Sequence, residues 1–329
     1  MKKSISVVIP NYNGKELLEK NLPFLFEALA ISETSFEIII ADDCSTDNSI
    51  VFLKATYPAI LLVENKQNKG FSGNINSGIA VATKELVFLL NSDIELTPNY
   101  FLPLFNYFQN PKTFGVMGRI ISMDSKEIQD GAKYPQYSSG NLTTTINYLP
   151  EEIKNDIYIY SLFLSGANAL VDRKKLLEIG CFQELFNPFY WEDVELSIKA
   201  WKLNYTCYYE HNSICKHPLS ATIGKYNKKK KVSIIARKNK LLFHYLHLNG
   251  SVLFLWMSIY ISKMIVRSFT FNFSYFNSFL LFYNQLSLAR IAKKAFQKTV
   301  VQNGIRDLEL RDISETIKKH IGLMKINKF

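Results

Sequence analysis

Leu86-Val87-Phe88-Leu89-Leu90-Asn91-Ser92-Asp93-Ile94-Glu95 is the stretch on which the fold turns. Five apolar residues in a row suit a strand buried on both faces, as in a parallel sheet covered by helices. The run stops at an acid. In open α/β sheets ligands collect outside the carboxyl ends of the strands, so Asp93 stands where a metal-bound anion would be held. The competing reading is a turn, since Asp and Asn close strand-to-loop turns through their own backbone. What else reaches the same edge decides between them.

Around this stretch, apolar segments at 5–9, 36–41, 60–63 and 116–121 alternate with amphipathic ones at the spacing of βαβ units. Leu18, Leu22, Leu25 and Leu29 recur at helical spacing between the first two. Ser45 and Thr46 can cap a helix carrying Ile50 and Leu53, and a third helix starts near Ser72 with Ile75 and Ile79. The expected class is α/β: a mixed, mainly parallel sheet with helices on both faces. Residues 124–160 mix Gly, Pro, Ser, Asn and Tyr and read as an irregular insertion. A helix over 173–179, a second opening at Trp191 and a short strand at 206–209 leading to His211 follow.

A chain of 329 residues, 47% hydrophobic and 21% charged, is long enough for one large domain and an appendage. Its four cysteines, Cys44, Cys181, Cys207 and Cys215, include no CxxC pair, which fits reduced thiols in the cytoplasm. The apolar run after Met1-Lys2-Lys3 is cut by Pro10 and is too short for a secretory signal. Net charge is +10, unevenly spread: residues 211–306 hold sixteen Lys and Arg and no Asp or Glu, while the rest carries 23 basic and 29 acidic side chains. An acidic body thus joins a basic tail suited to nucleic acid or anionic lipid. Residues 241–283 are crowded with aromatic and aliphatic side chains, their only formal charges being Lys263 and Arg267. About a dozen clean apolar residues, 251–262, are left, where a spanning helix needs about 20, so helices lying in the membrane interface or a shallow hairpin are expected. A buried helical hairpin is the alternative. The expected division is 1–225 for the catalytic domain and 226–329 for a basic, aromatic-rich helical region at a membrane surface.

Several elements can meet Asp93. The first strand ends in Pro10-Asn11-Tyr12-Asn13-Gly14 and the second in Asp42-Asp43. An aspartate there can accept from a base N–H or a ribose hydroxyl while Tyr12 covers the ring; helix capping is the other use of such acids. The loop Asn68-Lys69-Gly70-Phe71-Ser72-Gly73-Asn74 enters a helix and allows close backbone approach to a ligand, or simply makes a turn. Trp191-Glu192-Asp193 places adjacent carboxylates behind aromatics, where desolvation suits a general base, although helix N-termini favour acids anyway. His217 could complete a metal and phosphate site, or be structural.

Together these elements resemble family 2 glycosyltransferases, which have the nucleotide-binding GT-A fold. The resemblance runs from Ser4 to about Leu242 and rests on Val8-Ile9-Pro10-Asn11-Tyr12-Asn13-Gly14, Asp42-Asp43-Cys44-Ser45-Thr46-Asp47, Asn68-Lys69-Gly70-Phe71, Asn91-Ser92-Asp93, Gly166-Ala167-Asn168-Ala169, Trp191-Glu192-Asp193 and Arg237-Lys238-Asn239-Lys240. The subgroup it is most similar to is the rhamnosyltransferase-like enzymes of bacterial surface polysaccharide assembly. The resemblance implies an inverting transferase using a UDP- or dTDP-linked sugar, with a lipid-linked or polysaccharide acceptor at the inner face of the cell membrane. It implies nucleotide-sugar contacts from Pro10, Asn11, Tyr12, Asn13, Asp42, Asp43, Lys69, Gly70, Asn74, Asn91 and Ser92. Asp93 would bind a divalent metal, Mg or Mn, with His217 reaching the metal or diphosphate; Asp193 would be the base and Glu192 its companion. Asn91 replaces the first acid of the family's DxD-like motif, and an amide is a poorer cation ligand. The metal is then weakly held, is helped by Glu95 or His217, or matters less.

Two rival readings are a nucleotidyltransferase acting on a sugar phosphate and a non-enzymatic nucleic-acid or membrane binder. The first needs a phosphate loop rich in glycine and lysine after the first strand, and Asn11-Tyr12-Asn13-Gly14 offers one glycine. The second would use the lysine run 228–231, but no base-reading motif accompanies it, so nucleic acid is not an expected partner.

Overall fold

The structure, a computed structural model of the chain, describes residues 2–124, 127–152, 158–218 and 229–329. β1 (Ile5–Asn11), α1 (Lys15–Ser32), β2 (Phe36–Asp42), α2 (Ser49–Thr56), β3 (Leu61–Glu64), α3 (Gly70–Val81) and β4 (Leu86–Leu90) alternate as the sequence predicts. The four strands pair in parallel. Pleating sends Val7 and Ile9 to one face, against Leu18, Leu22 and Leu25 of α1, and Val8 to the other, against Ile75 and Ile79 of α3. Every residue of β4 is buried, as its unbroken apolar run requires. The register sets Asn11 beside Asp42 at the carboxyl end of the sheet.

The second half of the sheet changes direction. After β5 (Glu95–Leu96) and the 3₁₀ turn Pro103–Gln109 comes β6 (Thr113–Ser122), and the 124–160 segment follows. The described residues of that segment are more ordered than its composition suggests: they hold β7 (Ile128–Asp130), β8 (Ala132–Lys133), β9 (Gln136–Ser138), β10 (Asn141–Thr143), β11 (Asn147–Pro150) and β12 (Ile159–Tyr160). β13 (Asn168–Asp172), α4 (Arg173–Glu178), α5 (Glu192–Lys202) and β14 (Thr206–His217) complete a sheet of order β12-β14-β6-β13-β4-β1-β2-β3, with β5 on β14 and β7 on β6. β13 runs antiparallel between β4 and β6 and sets Asn168 opposite Leu90, so residues 165–167 lie beside the exit of β4. β14 is longer than the predicted 206–209. It passes an irregularity between Glu210 and Ile214 and then pairs β6 again, with β5 alongside, ending at His217. The polar run Glu210-His211-Asn212-Ser213 at that bulge hides the continuation from any alternation test.

Five helices follow: α6 (Lys229–His247), α7 (Gly250–Phe269), α8 (Ser274–Asn284), α9 (Leu286–Gln302) and α10 (Leu310–Ile321). Leu241, Leu242 and Phe243 of α6 and Ile313 and Ile317 of α10 join the core that also holds Val194 and Ile198 of α5. The chain ends in β15 (Ile326–Lys328), which pairs with β11. α7 is one unbroken helix of 20 residues where Lys263 and Arg267 had suggested a shorter apolar run, and it is long and apolar enough to cross a membrane by length and composition. The expected boundary at 225/226 and Lys228 of the lysine run lie outside the described residues. All four cysteines are free thiols.

Candidate active site

Asp93 leaves β4 in a turn closed by Ile94 N donating to Asn91 O. The turn does not use its carboxylate. Oδ2 lies 3.4 Å from His217 Nε2, and Oδ1 is buried with no hydrogen-bond partner. Asn91 Oδ1 is orphaned in the same way. Buried polar atoms are normally satisfied, so an orphaned carboxylate oxygen on a side chain beside an imidazole, with a second orphaned oxygen two residues back in the same turn, marks a place for a cation or a polar ligand. Glu95 is already taken: its carboxylate holds Lys216 at 2.9 Å across the β5–β14 pair. Ser92 is placed by its backbone, whose carbonyl accepts from Asn21 Nδ2 at 2.8 Å. Among the described residues no cluster of three or more His, Cys, Asp or Glu could hold a metal. Asn91 Oδ1, Asp93 and His217 could together supply part of a divalent ion's donor set, the rest coming from a ligand or water.

At the next strand exits the polar side chains brace one another. Asn11 Nδ2 donates to Asp42 Oδ2 at 2.8 Å, and Asp42 Oδ1 accepts from Ser45 N. Asn13, in left-handed backbone at φ 49°, accepts from Thr46 N and Asp47 N and so pins that loop. Asp43 Oδ1 accepts from Lys69 N and its Oδ2 from Gly70 N, which fastens the mouth of α3 to the end of β2. Burial nonetheless holds the Asp43 carboxyl above the ordinary carboxylate range. Gly70 has φ +70°, and a Cβ there would meet Asn187 at 2.9 Å. Asn74 bridges Asn65 and the Asn11 carbonyl. Lys69 Nζ reaches Ser77 Oγ. Pro10 sits in the β1 register opposite Ala41, and Tyr12 stands exposed at the rim. The structure thus brings all of these residues to one edge, with the carboxylates of Asp42 and Asp43 buried as braces.

The carboxylate pair lies across the 165–168 segment. Asn91 N donates to Ala167 O, and the Cα of Gly166 faces both Phe71 and Asp193, whose Cβ is 3.9 Å from where a Gly166 side chain would begin. Tyr190 and Trp191 both have positive φ, 73° and 77°. Bulky residues rarely adopt that backbone, which costs of order 1–3 kcal/mol each and persists where surrounding bonds enforce it. Asn239 enforces it. Its buried amide donates to the carbonyls of Phe186, Phe189 and Tyr190, while Lys238 Nζ donates to Leu185 O. Burial pushes the Glu192 carboxyl well above its ordinary range, Asp193 adding to it, and burial raises Asp193 as well. The Val194 amide, donating to Asp193 Oδ1, and then the Lys133 ammonium offset the second shift, with Asp130 opposing them. Lys238 is held down, to about 8, by burial.

Lys133 escaped the sequence reading because it sits in the irregular middle. It is buried, pairs with Asp130, donates to Asn147 Oδ1 and lies over the Phe163 ring. Asn187, which donates to Lys69 O and accepts from Ser72 N, also carried no sequence signal. A cavity of about 200 Å³ lies elsewhere, between the far end of α5 and α9, lined by Lys199, Lys202, Lys293 and His247. Its lysines already serve backbone carbonyls and the carboxylates of Glu195 and Asp307, so it belongs to the packing of the C-terminal helices.

A mainly parallel sheet with an antiparallel strand inserted beside an acid-bearing strand exit, and a carboxylate helix across the cleft, defines the GT-A class of fold. Solved structures agree. Staphylococcus aureus TarS 1–349 in complex with UDP-GlcNAc superimposes with a TM-score of 0.55 at 14% identity, covering 96% of this chain and 92% of that one. GalNAc-T7 with UDP, GalNAc and Mn2+ gives 0.66 at 15% identity, covering 98% of this chain and 57% of that one. The sequence profile of glycosyl transferase family 2 matches residues 6–180, more than half of the chain, which therefore belongs to that family. The poly(ribitol-phosphate) beta-N-acetylglucosaminyltransferase TarP of Staphylococcus aureus is 28% identical over 181 residues, 53% of this chain and 52% of TarP. The chain spans about half or less of the length of the first curated relatives it matches.

Proposed function

We propose that this protein transfers a sugar from a nucleoside-diphosphate donor to a saccharide hydroxyl, inverting the anomeric carbon. The observation that carries the reading is the juxtaposition of Asp93 and Asp193 on the two sides of one short segment, through Asn91–Ala167 and Gly166–Asp193. Asp193 takes the proton of the acceptor hydroxyl as its oxygen bonds to the anomeric carbon; the bond from that carbon to the diphosphate breaks, and the diphosphate leaves with the electron pair. A raised carboxyl suits the task, because a base close to the working pH both exists ionised and binds a proton well. The mouth of α3, fastened to Asp43 and Asn187 through Lys69 N, Gly70 N and Ser72 N, and the Asn11–Asp42 brace form the edge that would receive the nucleoside end of the donor, UDP- or dTDP-linked. Asn91, Asp93 and His217 would hold a Mg or Mn ion, which would offset negative charge on the diphosphate.

The activities of TarP and of the Bacillus spizizenii poly(ribitol-phosphate) beta-glucosyltransferase, both on a poly(ribitol-phosphate), support a polymer acceptor, which we place, itself or as a lipid-linked precursor, at the cytoplasmic membrane surface. Thermal-shift screening of UDP-, dTDP- and GDP-sugars with and without Mn tests the donor, since a ligand that binds the folded state alone raises the melting temperature. Stabilisation by a UDP- or dTDP-sugar and its loss in Asp93→Asn are expected. Stabilisation by none of the three sinks the reading.

A further inference from the structure

The link between α7 and α8 reads Phe269-Thr270-Phe271-Asn272-Phe273, and it points three phenyl rings at solvent. Phe269 is 81% and Phe271 86% exposed, the latter in left-handed backbone at φ 54°. Phe254, Ile265 and Val266 on α7 and Leu281 and Tyr283 on α8 extend the same exposure along both helices. Scattered exposed apolar residues need no explanation; a continuous apolar hairpin with an aromatic tip does. The opposite side of α7 is committed to the protein. Trp256 is buried and stacks on His244 of α6 at 4.2 Å between ring centroids, while Tyr260 OH donates to the Tyr275 carbonyl and ties the two arms of the hairpin together.

We infer that this hairpin is a lipid-docking wedge that enters one leaflet of an anionic membrane, tip first, without crossing it. Charge selects the occupant. No acidic side chain occurs between residues 211 and 306, while Lys263, Arg267, Arg290 and Lys294 stand exposed among the apolar groups. Such cations reach headgroups while their stems stay in the apolar layer. A second copy of the chain would set the same cations against each other. Crossing is disfavoured by geometry, because the return helix α8 has 11 residues, about 16 Å at 1.5 Å per residue, against a hydrocarbon core of about 30 Å. Withdrawing α7 into lipid would also break the stacking of Trp256 on His244.

The wedge deepens the proposed function by naming how a lipid-borne acceptor arrives, and in that respect it rests on that reading. His244 also meets Trp191 edge-on at 5.9 Å, and Trp191 precedes Glu192 and Asp193. One aromatic layer, Trp256 to His244 to Trp191, thus separates the lipid face from the base.

Flotation of the full chain with vesicles of phosphatidylcholine alone, or of equal parts phosphatidylcholine and phosphatidylglycerol, tests it. The protein is expected to float with the mixed vesicles and to be released by alkaline carbonate. Phe269→Ser/Phe271→Ser/Phe273→Ser, which changes exposed side chains and leaves the core intact, is expected to lower partitioning by about tenfold or more. Equal flotation of the two proteins overturns the wedge, as does retention through carbonate, which indicates a span. A dimer in solution that the triple variant converts to monomer overturns it in favour of self-association. Nucleotide-sugar thermal shifts run in parallel keep the two proposals apart: flotation without any nucleotide effect supports the wedge and counts against sugar transfer.

Discussion

His217 Nε2 sits 3.4 Å from Asp93 Oδ2 because β14 runs past its bulge and pairs Lys216 with Glu95 of β5, two residues beyond Asp93. The ion pair between those neighbours fixes the register. His217 is thereby delivered to Asp93, whose other carboxylate oxygen is buried without a hydrogen-bond partner.

His217→Ala is expected to weaken Mn-dependent binding of a nucleotide sugar by at least about tenfold while leaving the melting temperature of the free protein almost unchanged. Lys216→Met should give a smaller loss, through register alone. Titration of donor binding against Mn concentration measures both; an unchanged Mn dependence in His217→Ala would remove His217 from the site.

Asp193→Asn is expected to cost about 10²–10⁴-fold in kcat, the usual contribution of a positioned base. The more discriminating variant is Lys133→Met. The Lys133 ammonium favours the ionised form of Asp193, so its removal raises that carboxyl further. Activity that depends on ionised Asp193 then falls away at a higher pH: the acid limb of the kcat profile moves up, with near-normal rate at alkaline pH. Asp130→Asn, removing a negative neighbour, should move the limb the other way. A limb that stays fixed in both variants would detach the pair from Asp193.

Asn239→Ala leaves the carbonyls of Phe186, Phe189 and Tyr190 without their shared donor. A buried group left unsatisfied costs about 1–3 kcal/mol, so a loss of roughly that size or somewhat more is expected in urea unfolding. Because those bonds hold Tyr190 and Trp191 at positive φ, kcat should fall more than KM changes. Native kcat in a variant with lowered stability would show that the loop geometry has another source.

The parallel half of the sheet was legible because its strands are uniformly apolar or alternate cleanly and its helices repeat at 3.6 residues. Asp93 and Asp193 were legible as acids at a strand end and a helix start, whereas His217 stood out only as a lone histidine in the acid-free region, its place at the end of β14 hidden by the bulge. Their partners were not. Lys133 lies in a segment whose pairings, β8 with β11 and β11 with the C-terminal β15, join residues far apart in sequence. The continuation of β14 was masked by four polar residues at a bulge. The bracing roles of Asp42 and Asp43 depend on which backbone amides come within reach, and no pattern in one sequence encodes that. Lys263 and Arg267 made α7 look shorter than it is, because a charge on an exposed helix face interrupts hydropathy without interrupting the helix.

Glu192 supplies the last prediction. Burial, with the neighbouring Asp193, raises its carboxyl well above the unfolded value, so the folded protein holds this proton more tightly than the unfolded chain does. The sign follows directly. Stability from this group is present in full below its unfolded pKa and drains away as pH rises through the raised folded one. Glu192→Gln keeps the shape and removes the ionisation. The variant should therefore match the native protein near pH 5 and become more stable than it by about pH 8, provided Lys238, itself held down to about 8, stays charged enough to matter little. Thermal denaturation across that range measures the gap. A gap that is constant with pH, or that narrows as pH rises, would mean that Glu192 is not held protonated by its surroundings.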